Sequence, residues 1–157
     1  MTIIGGGNLG HFSAAIIGSK ENFQVNYLTR NPSKFSKEIV AITTGSVWEY
    51  KGNIKGKLTQ ISDSYKEIIE KSDCVLITTP AHTHLEILKK ISPFTKPNTV
   101  IGTVFGQGAF DVAAHSVFKK RIFSDNLTFF ALQNVPSISK VNSYGKSVFV
   151  IGPKGVL

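Results

Sequence analysis

Three glycines close to the amino terminus, Gly5, Gly7 and Gly10, have the spacing Gly-x-Gly-x-x-Gly. A short apolar run, residues 2–4, precedes them, and an apolar stretch typical of a helix, residues 11–19, follows. In this order the first glycine permits a tight turn and the second lets the backbone approach a pyrophosphate, while the third lets the helix pack on the strand. The spacing alone also occurs in ordinary turns, but the strand and helix around it favour a dinucleotide site.

The start of the predicted helix strengthens this interpretation. Its unpaired N–H groups and partial positive charge attract phosphate. Asn8 is predicted to cap the helix, because its side-chain oxygen can accept a hydrogen bond from the first turn. We expect the whole loop to bind the cofactor, and its residues are Gly5, Gly6, Gly7, Asn8, Leu9 and Gly10.

The end of the second predicted strand, residues 24–28, distinguishes between the two nicotinamide cofactors. Sites for NAD place an Asp or Glu there, about 20 residues past the glycines, to accept from a ribose hydroxyl. This chain has Thr29, Arg30 and Asn31 instead. A guanidinium suits a 2′-phosphate, so NADP is favoured over NAD. Stacking of Arg30 on the adenine of NAD remains the alternative.

Two further segments follow predicted strands and should lie at the same edge of the sheet. Thr79, Pro80 and Ala81 come directly after an apolar run, and Gln107 follows the next one. Ligands of doubly wound sheets bind outside the carboxyl ends of the strands. We therefore expect these four residues to contact the cofactor together with Arg30.

No group for acid–base, nucleophilic or metal chemistry stands out. His82 and His84 are two residues apart, so they do not share a helix face and are not expected to bind one metal ion. A histidine at this helix start is expected to bond to backbone instead. His11 and His115 have no evident partner, and Cys74 is expected to be a small core residue. We assign no catalytic residue and no metal site.

The elements that position these residues alternate between strand and helix, which predicts an α/β protein. The expected fold is a Rossmann-type, doubly wound, mostly parallel sheet with helices on both faces. One helix is predicted to start at Pro32, with Phe35, Ile39, Val40 and Ile42 facing inward. A small β-hairpin insertion, residues 47–58, is predicted around Gly52-Asn53. The remaining helices are predicted at 63–69, 81–91 and 109–118, and further strands at 127–132 and 147–151.

Length and charge exclude several classes of protein. A chain of 157 residues with 41% hydrophobic content is expected to form one domain, residues 1–157. The net charge of +8 comes from scattered lysines, which predicts a solvated surface and not a nucleic-acid site. The apolar runs are too short to span a membrane, and no leader precedes the glycines. We therefore expect a cytoplasmic location and no membrane partner.

The motifs resemble those of the N-terminal domain of the octopine and nopaline (opine) dehydrogenases, in the same order along nearly the whole chain. The segments that carry the resemblance are Gly5-Gly6-Gly7-Asn8-Leu9-Gly10-His11, Arg30, Thr79-Pro80-Ala81-x-x-His84, Phe105-Gly106-Gln107-Gly108-Ala109-Phe110, Asn134-Val135-Pro136-Ser137-Ile138-Ser139-Lys140 and the strand and linker at 145–157. The glycine motif is shared with ketopantoate reductases and glycerol-3-phosphate dehydrogenases, whereas the Gly-Gln-Gly-Ala-Phe and Asn-Val-Pro motifs favour the opine group. Residues 132–134 and Lys140 depart from the family pattern, on the substrate side of the site.

The resemblance implies an oxidoreductase that condenses an amino acid with a 2-oxo acid and reduces the imine with NAD(P)H. It also implies that the catalytic His–Asp pair and the amino-acid site belong to a helical C-terminal domain, which residues 1–157 do not contain. We therefore expect a cofactor-binding domain that is inactive alone. A ketopantoate reductase or glycerol-3-phosphate dehydrogenase relative, or a stand-alone nucleotide-binding module, remains the alternative. The substrate pair and the oligomeric state, including a homodimer, stay open.

Overall fold

A computed structural model of the chain describes residues 1–43, 52–106 and 108–153. In chain order the elements are β1 (Thr2–Ile4), α1 (Asn8–Gly18), β2 (Asn26–Leu28), β3 (Glu38–Thr43), β4 (Asn53–Lys57), β5 (Gln60–Ser62), α2 (Tyr65–Ile69), β6 (Cys74–Ile77), α3 (His84–Ile91), β7 (Val100–Thr103), α4 (Phe110–Phe118), β8 (Thr128–Ala131), β9 (Ser137–Ser143) and β10 (Ser147–Pro153). Short 3₁₀ turns lie at Pro32–Lys34, Ala81–Thr83 and Ser92–Phe94. None of the described helices is long and apolar enough to cross a membrane.

The first sheet contains six parallel strands in the order β5-β2-β1-β6-β7-β8. β1 lies inside this sheet, and neighbouring residues on it point to opposite faces. Ile4 packs with apolar side chains of α2, α3 and α4, whereas Ile3 packs with those of α1. Helices therefore cover both faces, and the predicted Rossmann-type architecture is confirmed.

The second sheet has the strand order β4-β3-β10-β9 and packs on the far side of α1. β3 is parallel to β10, and the other two pairs are antiparallel. Gly56 of β4 lies directly against the backbone of Ala14 and Ala15, where a Cβ atom would collide with the Ala14 carbonyl oxygen. The helix that follows the glycine loop is thus enclosed between two sheets.

The helix predicted to start at Pro32 is wrong, because only a 3₁₀ turn forms there and β3 follows it. Ile39 and Ala41 are buried while Val40 and Ile42 are half-buried, which is the period of two expected for a strand. The segment is rich in β-branched side chains, which prefer extended backbone. The apolar positions that suggested one helix face belong to the two faces of a strand.

Of the predicted hairpin insertion, only the second strand is confirmed, as β4. This strand pairs in antiparallel register with β3, so it belongs to a larger sheet. The predicted strand at 47–50 lies outside the described residues. β5 and β9 are absent from the sequence-based assignment, because β5 has only three residues and β9 is mostly polar and exposed.

The predicted cap at Asn8 is also wrong. The helix begins at Asn8 itself, Gly7 occupies the cap position, and no side chain bonds to the first turn there. The Oδ1 atom of Asn8 instead accepts a hydrogen bond of 2.8 Å from the Val141 N–H. The Asn8 side chain bonds to β9 because that strand packs against α1 on the side away from the first sheet.

Candidate cofactor-binding site

The parallel register brings the predicted site segments to one edge of the first sheet. Ile4 is paired with Leu28 and Ile77, and Ile77 with Thr103, so four strands end at the same level. The Gly5 N–H donates to the Leu28 carbonyl, which ties the glycine loop to the end of β2. This edge is where doubly wound sheets bind ligands.

Each glycine of the motif meets a different requirement. Gly5 has a φ of +128°, which side chains rarely adopt, and a Cβ there would lie 2.6 Å from the Thr78 Oγ1. A Cβ at Gly10 would collide with the Gly5 carbonyl oxygen and approach the Tyr27 hydroxyl to 2.5 Å. A Cβ at Gly7 would meet nothing within 4 Å. The loop therefore needs Gly5 and Gly10 to form, whereas Gly7 leaves open space at the helix start.

Two cavities open along this edge and share part of their walls. Their volumes are about 450 Å³ and about 330 Å³, within the range of small-molecule sites. Both are lined by Gly6, Thr29, Arg30, Thr79 and Pro80. The wall of the larger cavity also includes Asp63, Tyr65, Glu86 and Lys90, and the wall of the smaller one also includes Gly7 and Tyr144. An extended ligand could pass from the helix start to Arg30 without leaving the edge.

The charged groups of the larger cavity are mixed. Lys90 Nζ lies 2.5 Å from Glu86 Oε1, and this hydrogen bond raises the pKa of Lys90 and lowers that of Glu86. Arg30 is exposed and forms an ion pair with no carboxylate of the described residues. Asp63 lines the same cavity, because it follows β5 and β5 pairs with β2. The cavity therefore offers both a free guanidinium and a carboxylate.

Two buried side chains donate hydrogen bonds to carbonyl groups of the glycine loop. The Tyr27 hydroxyl donates to the Gly5 carbonyl at 2.5 Å, and burial raises the pKa of Tyr27. His11 Nε2 accepts from the Gly145 N–H at 2.8 Å, so the proton must be on Nδ1, which donates to the Gly7 carbonyl at 2.9 Å. Burial lowers the pKa of His11, which keeps the ring neutral. His11 thus has partners at both nitrogens, contrary to its appearance in the sequence.

His84 holds the segment that follows β6. Its Nε2 lies 3.1 Å from the Thr79 carbonyl oxygen, to which it donates, and 3.3 Å from the Thr103 Oγ1. Its Nδ1 is buried and has no partner among the described residues. Burial lowers the pKa of His84. The predicted bond from a helix-start histidine to backbone is confirmed at this residue.

The structure brings most of the predicted site residues together. The predicted residues that line the cavities are Gly5, Gly6, Gly7, Arg30, Thr79 and Pro80. Asn8, Leu9 and Ala81 line neither cavity, and Gly10 is buried beneath Gly5. Gln107 lies outside the described residues.

Sequence reasoning missed several residues of the cavity walls. Asp63 directly follows β5, whose end lies at the ligand edge, but that strand is too short to be recognised from its own pattern. Tyr144 comes from the turn between β9 and β10, and only the second sheet brings that turn to the glycine loop. Tyr65 and Lys90 lie in helices that the sequence predicts, but nothing in the sequence indicates that their side chains face the site.

The fold and the glycine-rich edge define a Rossmann-type domain. The family model "Ketopantoate reductase PanE/ApbA" matches residues 1–153, and the chain belongs to this family. A tauropine dehydrogenase of Arabella iricolor is 26% identical over 100% of this chain and 41% of its own length. An opine dehydrogenase of Haliotis discus hannai is 23% identical over 95% of this chain and 39% of its own length. The chain thus spans about two fifths of these relatives, and the resemblance to opine dehydrogenases is confirmed.

Solved structures share the fold. An octopine dehydrogenase in complex with NADH and agmatine superposes with a TM-score of 0.86 at 19% identity, over 98% of this chain and 39% of that one. An NADP⁺-bound yersinopine dehydrogenase gives 0.80 at 12% identity, over 98% and 38%. A ketopantoate reductase from Ralstonia eutropha gives 0.67 at 12% identity, over 97% and 47%. The fold is therefore more similar to these two opine-type enzymes than to this reductase.

The two buried histidines predict a loss of stability in mild acid. Because burial lowers the pKa of His11 and His84, the unfolded chain binds more protons than the folded one below the ordinary histidine pKa of 6.5. Their contribution to the free energy of unfolding is complete above that pH and is lost as the pH falls through their folded pKa values. Urea unfolding should therefore show a midpoint that falls between pH 7.5 and pH 5.

The control is an exposed histidine on α4. His115→Gln should leave this pH dependence unchanged, whereas His11→Gln and His84→Gln should each reduce it. The shifted carboxyl groups titrate at lower pH, so the window from 7.5 to 5 reports mainly the histidines. An unfolding midpoint that is independent of pH across this window would contradict the assignment of neutral buried rings.

Proposed function

We propose that the edge formed by the glycine loop, Arg30 and Thr79-Pro80 binds a nicotinamide dinucleotide. The observation that carries this proposal is the open backbone at Gly7, at the start of an enclosed helix and beside two cavities that share their walls. The NADH and NADP⁺ complexes of structurally similar dehydrogenases support it.

The residues present fit such a cofactor. Gly6, Gly7 and the N–H groups of the first turn of α1 would hold the pyrophosphate. Arg30 and Asp63 would meet the adenosine ribose, and Tyr65 and Pro80 would flank the adenine. The bound cofactor would supply hydride, and the chain would orient it at the ends of β6 and β7. Gln107 stays a predicted contact.

We further propose that the chain serves an opine dehydrogenase-like oxidoreductase, in which an amino acid and a 2-oxo acid are condensed and the imine is reduced at a carbon–nitrogen bond. The tauropine and opine dehydrogenases among its relatives support this activity. The family model favours a ketopantoate reductase relative as the second candidate. A cytoplasmic location stays a prediction of the sequence, for cell fractionation to check. The oligomeric state stays open, and sedimentation would show whether the chain forms a homodimer.

Titration with NADH and NADPH tests the binding proposal. The unsubstituted chain should show saturable binding of at least one of them by calorimetry. Gly7→Val should abolish it while the circular dichroism spectrum is retained, because the new side chain fills the space at the helix start. Gly152→Val is the matched control, since a Cβ there also meets nothing within 4 Å but lies on the second sheet. Equal affinity in Gly7→Val and the unsubstituted chain would refute the loop assignment.

The choice between the two cofactors is proposed to depend on Arg30 and Asp63. If Arg30 meets the 2′-phosphate, Arg30→Ala should weaken NADPH about tenfold or more and NADH little, since a hydrogen bond to a charged group contributes about 1.5–3 kcal/mol. Asp63→Asn should act in the opposite direction and strengthen NADPH, because a carboxylate next to that phosphate is removed. Loss of both cofactors to the same degree in Arg30→Ala would instead indicate stacking on the adenine.

We expect the chain alone to bind cofactor without turnover. The sequence assigns no catalytic residue, and the tauropine and opine dehydrogenases are more than twice as long as the chain. NADH absorbance should stay constant when L-arginine and pyruvate are added, the two compounds bound in other octopine dehydrogenase complexes. A longer relative assayed in parallel gives the positive control. Measurable oxidation by this chain would show that a catalytic residue is present in it.

A further inference from the structure

Tyr144 stands at the tip of the β9–β10 hairpin and enters the smaller cavity from the second sheet. It lines that cavity together with Gly6, Gly7 and Arg30. Its side chain is 43% exposed, and no hydrogen bond of its hydroxyl is found among the described residues. A phenol group at the wall of a cavity, with its donor free, is available to a ligand.

The glycine loop leaves room for this tyrosine. A Cβ at Gly6 would lie 2.7 Å from the Tyr144 oxygen and 3.6 Å from the Thr29 Oγ1. Any side chain at Gly6 would therefore displace the phenol. Gly6 occupies the variable position between the first two glycines of the motif, and the dinucleotide motif does not require glycine there. The close approach of Tyr144 gives this third consecutive glycine a physical reason.

The position of the hairpin tip is tightly fixed. The Tyr144 ring packs edge-on against Phe35 at 5.1 Å and in a tilted arrangement against His11 at 5.5 Å, measured between ring centroids. The neighbouring Gly145 donates to His11 Nε2, and its carbonyl accepts from the Ser36 N–H at 2.8 Å. Gly145 has a φ of +75°, and a Cβ there would collide with the Lys34 carbonyl oxygen. The hydroxyl is therefore held at one place over the loop.

We infer that Tyr144 is a cofactor-binding residue whose hydroxyl donates a hydrogen bond to a phosphate oxygen of the dinucleotide. The inference rests on the proposed function, because it names an additional contact within the same site. The phosphate is either the pyrophosphate, next to Gly6 and Gly7, or the 2′-phosphate, next to Arg30. In both cases the second sheet contributes directly to a site that is otherwise built from the first.

Tyr144→Phe tests this contact, because it removes the hydroxyl and keeps the ring packing. The dissociation constant should rise about tenfold or more, as expected for the loss of one hydrogen bond to a charged group. A contact to the pyrophosphate weakens NADH and NADPH equally and also weakens ADP-ribose, whereas a contact to the 2′-phosphate weakens NADPH alone. Thermal unfolding should be unchanged, which separates the contact from a structural effect.

Asn142→Ala is the matched control on the same hairpin. It removes the bond from Asn142 Nδ2 to the Ser147 Oγ, 3.0 Å long and outside both cavities, and should leave all dissociation constants unchanged. If the unsubstituted chain binds the cofactors and Tyr144→Phe binds both with the same affinity, the proposed contact of Tyr144 is wrong, while the proposed function still stands. Absence of binding by the unsubstituted chain would refute the proposed function, and the contact with it.

Discussion

The close approach of Gly10 to the Gly5 carbonyl oxygen is the constraint on which the site depends. It places the first turn of α1 directly over the end of β1, so that the free N–H groups of the helix point along the edge where the strands end. Any side chain at Gly10 would separate the two elements. Tyr27 fixes the same carbonyl with its hydroxyl, because β2 runs beside β1. The geometry of the loop is thus determined by strand pairing and by one missing side chain.

The second sheet keeps the helix in that position from the other side. Gly56 meets the backbone of α1 near its middle, and Asn8 and His11 connect its beginning to β9 and to the hairpin tip. In an isolated βα unit the helix would be free to shift along the strand. Here a shift would break buried contacts on two faces at once, which is costly in a close-packed interior. A sheet that contains no part of the glycine motif therefore contributes to its precision.

The sequence predicted the parts of the fold that depend on local pattern. The glycine loop and the strand β6 could be assigned because their residue types and spacing have a direct physical meaning. The segment 38–43 could not, because its apolar residues fit a helix face until its neighbours β4 and β10 are known. Asn8 and Tyr144 illustrate the same limit for the site. Asn8 accepts a hydrogen bond from Val141, and Tyr144 lies beside Gly6, so each contact joins residues that are more than 130 positions apart in the chain. Contacts of this range are set by topology, which residue spacing does not encode.

The charges of the larger cavity, where the adenosine is proposed to bind, follow from the same topology. The sequence shows an arginine where acidic residues are usual, but β5 pairs beside β2 and carries Asp63 into the same cavity. A cofactor with a ribose hydroxyl can use the carboxylate, whereas a 2′-phosphate needs the guanidinium and is repelled by the carboxylate. Lys90 adds a second cation, and Glu86 offsets it. In the proposed site the preference between the two cofactors would therefore depend on Arg30 and Asp63 together, at two adjacent strand ends, and not on the fingerprint position alone.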